Sequence, residues 1–220
     1  NQIILNSQFS TLNSYFIFNP SLSYRNFFIP ALLAMIIILL CGFLPALNVV
    51  GEKEKGSLEQ INVTPVSKLA FILAKLIPYW VMGLVVATLS VLLAWWVWGL
   101  TPSGSLTMLY LLVMLFSVTV SAFGLVVSNY SNNLQQAMFV MWFFVVILLL
   151  LSGLFTPVES MPQWAQTLTL VNPMRYFNDA IRTVYLRSGT FLHIWPHLAV
   201  LASAAALFSL WAIRSYSKNN

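Results

Sequence analysis

Charge is nearly absent from this chain. Only 7% of its 220 residues are charged, five acidic and ten basic, where soluble domains carry roughly a quarter. An ordinary soluble domain is thereby excluded. The single cysteine, Cys41, rules out an intrachain disulfide, and its apolar neighbours fit a buried thiol rather than a reactive one. The two histidines, His193 and His197, are four apart but separated by Pro196, and no third ligand is near in sequence, so they read as packed or interfacial side chains and not as a metal site. Neither GxxxxGKS nor GxxxxGKT occurs, nor HExxH, nor GxSxG, so the chain has no phosphate loop of its own and no catalytic signature. The acids are Glu52, Glu54, Glu59, Glu159 and Asp179, all outside the long apolar runs. A carrier driven by protons or sodium needs ionisable groups near the midplane. Energy for any transport must therefore come from elsewhere.

What the chain has instead is length of apolar sequence: 60% hydrophobic residues and a mean hydropathy of +0.85. Several runs reach about twenty residues and none alternates with period two, which predicts an all-α polytopic membrane protein rather than a barrel. Five transmembrane helices are expected, at about 27–50, 69–99, 106–127, 136–155 and 191–213, with a tail at 214–220. Pro45 should kink or open the first helix near its end. The run 69–99 exceeds one crossing, so its excess is expected at the start, with Lys75 snorkelling to headgroups and Pro78 turning an interfacial segment inward. On the third run Ser117, Thr119, Ser121, Ala122 and Gly124 suit close helix packing or a polar path. The net charge of +5 is scattered, which matches contact with anionic lipid and not a nucleic-acid stripe.

The polar hinge Glu52–Lys68 holds six of the fifteen charged residues between two runs that have almost none. Ser57-Leu58-Glu59-Gln60 fits a capping box, Gly56 allows a turn just before it, and Thr64-Pro65 stops the helix within about two turns. The hinge reads as a docking element at one membrane face. The other departure from simple spans is 156–190. There Met161-Pro162 opens a short helix to Leu170 and Asn172-Pro173 breaks it. A second, amphipathic helix follows from Met174 to Leu186, with Phe177, Ile181, Val184 and Tyr185 on its apolar side. Arg175, Asp179 and Arg182 are spaced to pair on the opposite side. This segment is expected to re-enter the interface without crossing, either bracing the outer mouth or meeting substrate.

With the hinge inside, Lys53, Lys55, Lys68, Lys75, Arg214 and Lys218 are cytoplasmic, and Arg25, Arg175, Arg182 and Arg187 external. Residues 1–26 then lie outside, as the end of an external polar domain. The chain starts at Asn1, which suggests an N-terminally truncated chain with an earlier first span, six in all, or a chain that begins after a removed leader.

The order FNPSLSYRNFFIP, a span, EKEKGSLEQINVTPVSK and ILAKLIPYW resembles the type-2 ABC transporter permeases, membrane subunits of bacterial exporters. SGLFTPVESMPQWAQTLTLVNPMRYFNDAIRTVYLRSG resembles their outer re-entrant segment, which places Pro157, Pro162, Asn172, Pro173, Arg175, Asp179 and Arg182 in it. The resemblance implies a homodimer or heterodimer of permeases in the bacterial plasma (inner) membrane, seated on two ABC ATPase subunits that bind ATP and Mg; no cofactor is bound directly. By matching position Glu52, Glu54, Gly56, Ser57, Leu58, Glu59, Thr64 and Pro65 would form a cytoplasmic coupling helix and its contacts. Many such permeases carry a basic residue where this chain has Gly51. The substrate implied is hydrophobic or amphipathic. An anchor that recruits an ATPase without transport is the alternative, followed by an intramembrane transferase using His193 or His197.

Overall fold

A computed structural model describes residues 32–56, 67–99, 101–187 and 191–216. The N-terminal segment and residues 57–66 of the hinge lie outside that range, as does the side chain of His193. Among the described residues all regular structure is helical: α1 (Leu32–Glu54), α2 (Lys68–Trp98), α3 (Leu106–Tyr130), α4 (Leu134–Leu150), α5 (Gln163–Thr169), α6 (Pro173–Arg187) and α7 (Phe191–Ser215).

The helix ends follow from local chemistry. Ser67 caps α2 by accepting from the Ala70 amide at 3.2 Å, and α2 ends where Gly99 takes φ +65°. Asn133 caps α4 by accepting from Gln136 at 2.8 Å, while the Gln136 side chain accepts from the Asn132 amide at 2.9 Å. That cap starts α4 at Leu134, and its other end comes at Leu150, five residues short of the sequence expectation. Ser152 turns its hydroxyl back to the Leu149 carbonyl at 2.6 Å, and Gly153 adopts φ +73°, so the chain reverses there.

The prolines act differently from one another. Residues Ile38–Phe43 form a π-helical stretch inside α1, directly before Leu44-Pro45. Pro45 has no N–H for the preceding turn and its ring crowds that turn's carbonyl, so the distortion sits one turn earlier than the proline. Pro78, by contrast, is absorbed into one uninterrupted 31-residue helix. No separate interfacial segment forms ahead of it.

The core is built around α3. Most of its apolar window is buried, 72%, against 17% for α2 and 22% for α7, which puts those two helices at the periphery of the bundle. Gly124 makes the closest approach: a Cβ there would lie 2.3 Å from the Gly42 carbonyl oxygen, so α1 and α3 cross backbone to backbone at the π-helical stretch. Nearby, Trp80 donates to Ser121 Oγ at 2.8 Å and Thr119 donates to the Leu115 carbonyl at 2.8 Å. The hydroxyls of Thr119 and Ser121 are thus spent on neighbours, while Ser117, equally buried, packs with its hydroxyl lacking a hydrogen-bond partner among the described residues.

Among the described residues four helices, α1, α2, α3 and α7, are long and apolar enough to cross a membrane. With 17 residues α4 is shorter, about 25 Å. It joins the same two faces nonetheless, starting beside Glu54 and ending beside Asn172.

Candidate functional site

Two polar surfaces cap the apolar bundle, one at the hinge and one at the opposite end. At the hinge, the last turn of α1 carries Glu52, Lys53 and Glu54, each engaged with a different neighbour. Glu52 forms an ion pair with Lys75 of α2. Lys53 Nζ donates to the Ser131 carbonyl at 3.0 Å. Glu54 accepts from the Leu134 amide, the first of α4, at 3.2 Å. A carboxylate on a helix N-terminus meets unpaired N–H groups and the positive end of the helix dipole. The chain then turns at Gly56, φ +73°. Lys75 thus closes an ion pair within the protein and does not reach out to headgroups. Of the residues that the resemblance assigns to ATPase contact, Glu52 and Glu54 bond inward, while Ser57, Leu58, Glu59, Thr64 and Pro65 lie outside the described residues.

The rest of this face comes from the last turn of α3, which runs three residues past the expected 127, from the turn 131–133 and from the end of α7. Asn129 donates to the Ala212 carbonyl at 3.0 Å and to Ser215 Oγ at 2.8 Å. Tyr216 packs on Phe71 with ring centroids 5.8 Å apart, and burial, then the Glu52 charge, push its phenol pKa up. The sequence signal for these contacts is the group Asn129, Asn132 and Asn133, since asparagine caps helices and bonds exposed carbonyls.

At the opposite end α6 lies with its predicted apolar side inward: Phe177, Ile181, Val184 and Tyr185 are all buried. Phe177 stacks on Phe116 of α3 at 4.3 Å. The turn before α3 is pinned to the end of α6, Ser103 and Gly104 donating to the Tyr185 and Val184 carbonyls. Asn172 holds two helices at once. Its Nδ2 donates to the Leu148 carbonyl near the end of α4 at 2.8 Å, and its Oδ1 accepts from the Met174 amide in the first turn of α6 at 3.0 Å. Pro173 follows as the first residue of α6, where a missing N–H costs nothing. Pro162 is the N-cap residue of α5, and Pro157 precedes the short 3-10 turn Val158–Ser160.

The charged residues of α6 do not share one solvated side. Arg175 lies at the edge, its Nη1 donating to Thr169 Oγ1 at 2.6 Å and its Nε 4.0 Å from Asp179. Arg182 is buried, 5% exposed, and its Nη2 donates to the Gly153 carbonyl at 3.4 Å. Asn178, fully buried, donates to the Ser152 carbonyl at 3.4 Å. Both face the carbonyl-rich end of α4, where a cation and an amide donor are favoured. Burial raises the Asp179 pKa, opposed by the charges of Arg182, His197 and Arg175 in that order. His197, whose ring lies 6.2 Å from that of Tyr176, therefore sits within electrostatic reach of an acid that sequence separation hid.

Between these two ends lies a partly open cavity of about 150 Å³, lined by α1, α3, α4 and α7 and, on the side of the outer segment, by Val171 and Pro173. Ile38 and Gly42 of the π-helical stretch form part of its wall, with Phe123, Phe144 and Phe208. Its hydroxyl, Thr119, is spent on helix carbonyls, so the cavity offers contact only to apolar groups.

Comparison with known proteins bears on the whole chain. The family described as "ABC-2 family transporter protein" matches residues 1–214. The chain is 31% identical over 205 residues to "Probable multidrug ABC transporter permease YbhR" of Escherichia coli (strain K12), covering 91% of this chain and 55% of that protein. It is 27% identical over 192 residues to "Probable multidrug ABC transporter permease YbhS" of the same organism, covering 87% and 51%. To "Inner membrane transport permease YhhJ" it is 29% identical over 204 residues, covering 90% and 53%. The chain spans about half the length of these relatives. Apolar helices of crossing length and a family match over nearly all its residues lead to one conclusion: this chain is a multi-pass membrane protein of the ABC-2 transporter family, a type-2 ABC permease.

Proposed function

We propose that the chain is the membrane-spanning subunit of an ATP-driven exporter in the bacterial inner membrane, with ATP and Mg bound and hydrolysed by a separate ABC ATPase subunit. The observation that carries this reading is the hinge: a charged loop, in a chain with almost no charge, rooted in a helix turn whose Glu52, Lys53 and Glu54 reach three neighbouring elements. A push on such a loop is felt by the whole bundle.

In this reading the coupling element comprises Glu52, Glu54, Gly56, Ser57, Leu58, Glu59, Thr64 and Pro65, with the 57–65 portion meeting the ATPase in the cytoplasm. Closure of the ATPase subunits on ATP moves the hinge, and the inward bonds pass that motion to the helices. The π-helical stretch of α1 gives a place where it can be absorbed, because its i to i+5 bonding is a weak point in an otherwise regular helix. Two permease chains, alike or different, line the path, and the cargo is hydrophobic or amphipathic. The apolar cavity beside the π-helical stretch suits the apolar part of such a molecule. The outer segment, through Pro157, Pro162, Asn172, Pro173, Arg175, Asp179 and Arg182, closes the external end. Two relatives carry multidrug permease in their names, which agrees with a cargo recognised by apolar contact.

Exchanging Glu54 and Glu59 together for lysine tests the reading in the full-length protein with its ATPase. Export of an amphipathic dye should fall at least tenfold and stimulation of ATPase activity by the permease should be lost, with the membrane fold intact. Unchanged export and unchanged stimulation would sink the mechanism. ATPase recruitment without dye movement in the wild type would favour the anchor.

A further inference from the structure

The permease reading leaves open how motion at the hinge reaches the outer segment, and α4 is built to carry it. The fully buried residues of α4 form one stripe, Ala137, Met141, Val145 and Leu149, each four residues from the next. Beside it Val140, Val146, Ile147 and Leu148 are half-buried, Trp142 and Phe144 meet Phe43 and Phe123 edge-on, and Met138, Phe139, Phe143 and Leu150 are exposed. A helix packed over only part of its surface can shift more easily than one enclosed on all sides. Its ends, in contrast, are gripped by polar side chains from elsewhere. Glu54 of α1 takes the first amide of α4 at 3.2 Å. At the far end Asn172 donates to the Leu148 carbonyl at 2.8 Å, and Asn178 and Arg182 donate to the two carbonyls just beyond the helix.

We propose that α4 is a strut between the two polar surfaces, with Glu54 and Asn172 as the positioning residues that drive it at either end. This deepens the permease reading and rests on it. Glu54 then acts through its hydrogen bond to Leu134 and not as a charge presented to the ATPase. The distinction is chemical: glutamine keeps an oxygen that can accept from Leu134 but has no charge, whereas alanine has neither. Asn172 allows a similar cut. Aspartate keeps the oxygen that caps α6 at Met174 but replaces the donor to Leu148 with a second oxygen, which repels that carbonyl.

The test uses the full-length protein in its ATPase complex. Amide exchange at Leu134 should quicken roughly five- to tenfold in Glu54→Ala, as expected for loss of one hydrogen bond, and stay near wild type in Glu54→Gln. Spin labels at Leu93→Cys on α2 and Leu150→Cys at the outer end of α4, in a Cys41→Ser background, report the motion. Adding ATP and vanadate should shift their distance in the wild type and in Glu54→Gln, and most of the shift should vanish in Glu54→Ala and Asn172→Asp. A full shift in Glu54→Ala overturns the strut. So does a loss in Glu54→Gln equal to that in alanine, which would make the carboxylate's charge the active feature. A wild-type complex that holds an ATPase yet shows no nucleotide-dependent shift also overturns the strut, whereas a protein that holds no ATPase overturns the permease reading itself.

Discussion

Gly124 has no room for a methyl group. Its added Cβ would press on the Gly42 backbone carbonyl at 2.3 Å, and a backbone atom cannot swing aside as a side chain does. Gly124→Ala should therefore lower stability by about 1–3 kcal/mol, the usual cost of overpacking, read as a fall in thermal midpoint in detergent. Gly51→Ala is the matched control, since there the nearest atom is the Leu134 methyl at an ordinary 3.7 Å; it should be neutral or slightly stabilising, because alanine favours the helix. Asp179 gives a pH-dependent expectation. Burial raises its pKa in the folded protein, so between the unfolded and folded values the folded chain holds more protons. Stability then falls as pH rises through that window, beginning near about pH 4. Melting measured from about pH 3.5 to 6 should show this decline in the wild type and a flatter profile in Asp179→Asn.

Elements differ in how plainly their sequence announces them. The apolar side of α6 was legible, because Phe177, Ile181, Val184 and Tyr185 follow helical spacing and all four are buried. Arg182 was not, because its place depends on the Gly153 carbonyl, 29 residues away. Pro45 announced a local opening of α1, and the π-helical stretch lies just before it; Pro78 looked like the same signal, yet α2 runs through it. Proline removes one hydrogen bond in either case, and tertiary packing decides whether the helix yields. α4 starts at Leu134, two residues before the expected 136, because Asn133 caps the helix. For α6 the packing suggests a further test. Phe177→Ala would remove a fully buried ring stacked on Phe116 at 4.3 Å, costing about 3–5 kcal/mol. Limited proteolysis of the folded protein should then cleave within 156–190 faster than in the wild type; equal rates would mean that α6 is held without this ring.

At the scale of the whole molecule, the candidate site was visible in the sequence as a concentration of charge but not as a set of partners. Glu52 finds Lys75 and Glu54 finds Leu134, 80 residues on, and no local rule connects such positions. The same separation lets a short loop address several helices at once. The proposed function therefore requires that this loop bind a separate ATPase. The measurement is affinity purification of the full-length protein from detergent, comparing wild type with Glu59→Lys and with Glu54→Lys plus Glu59→Lys, and identifying what co-purifies. A separate ATP-binding chain held by the wild type and lost both in Glu59→Lys and in the double variant is the predicted result. A wild-type protein that brings down no ATPase under conditions that keep it folded would contradict the account.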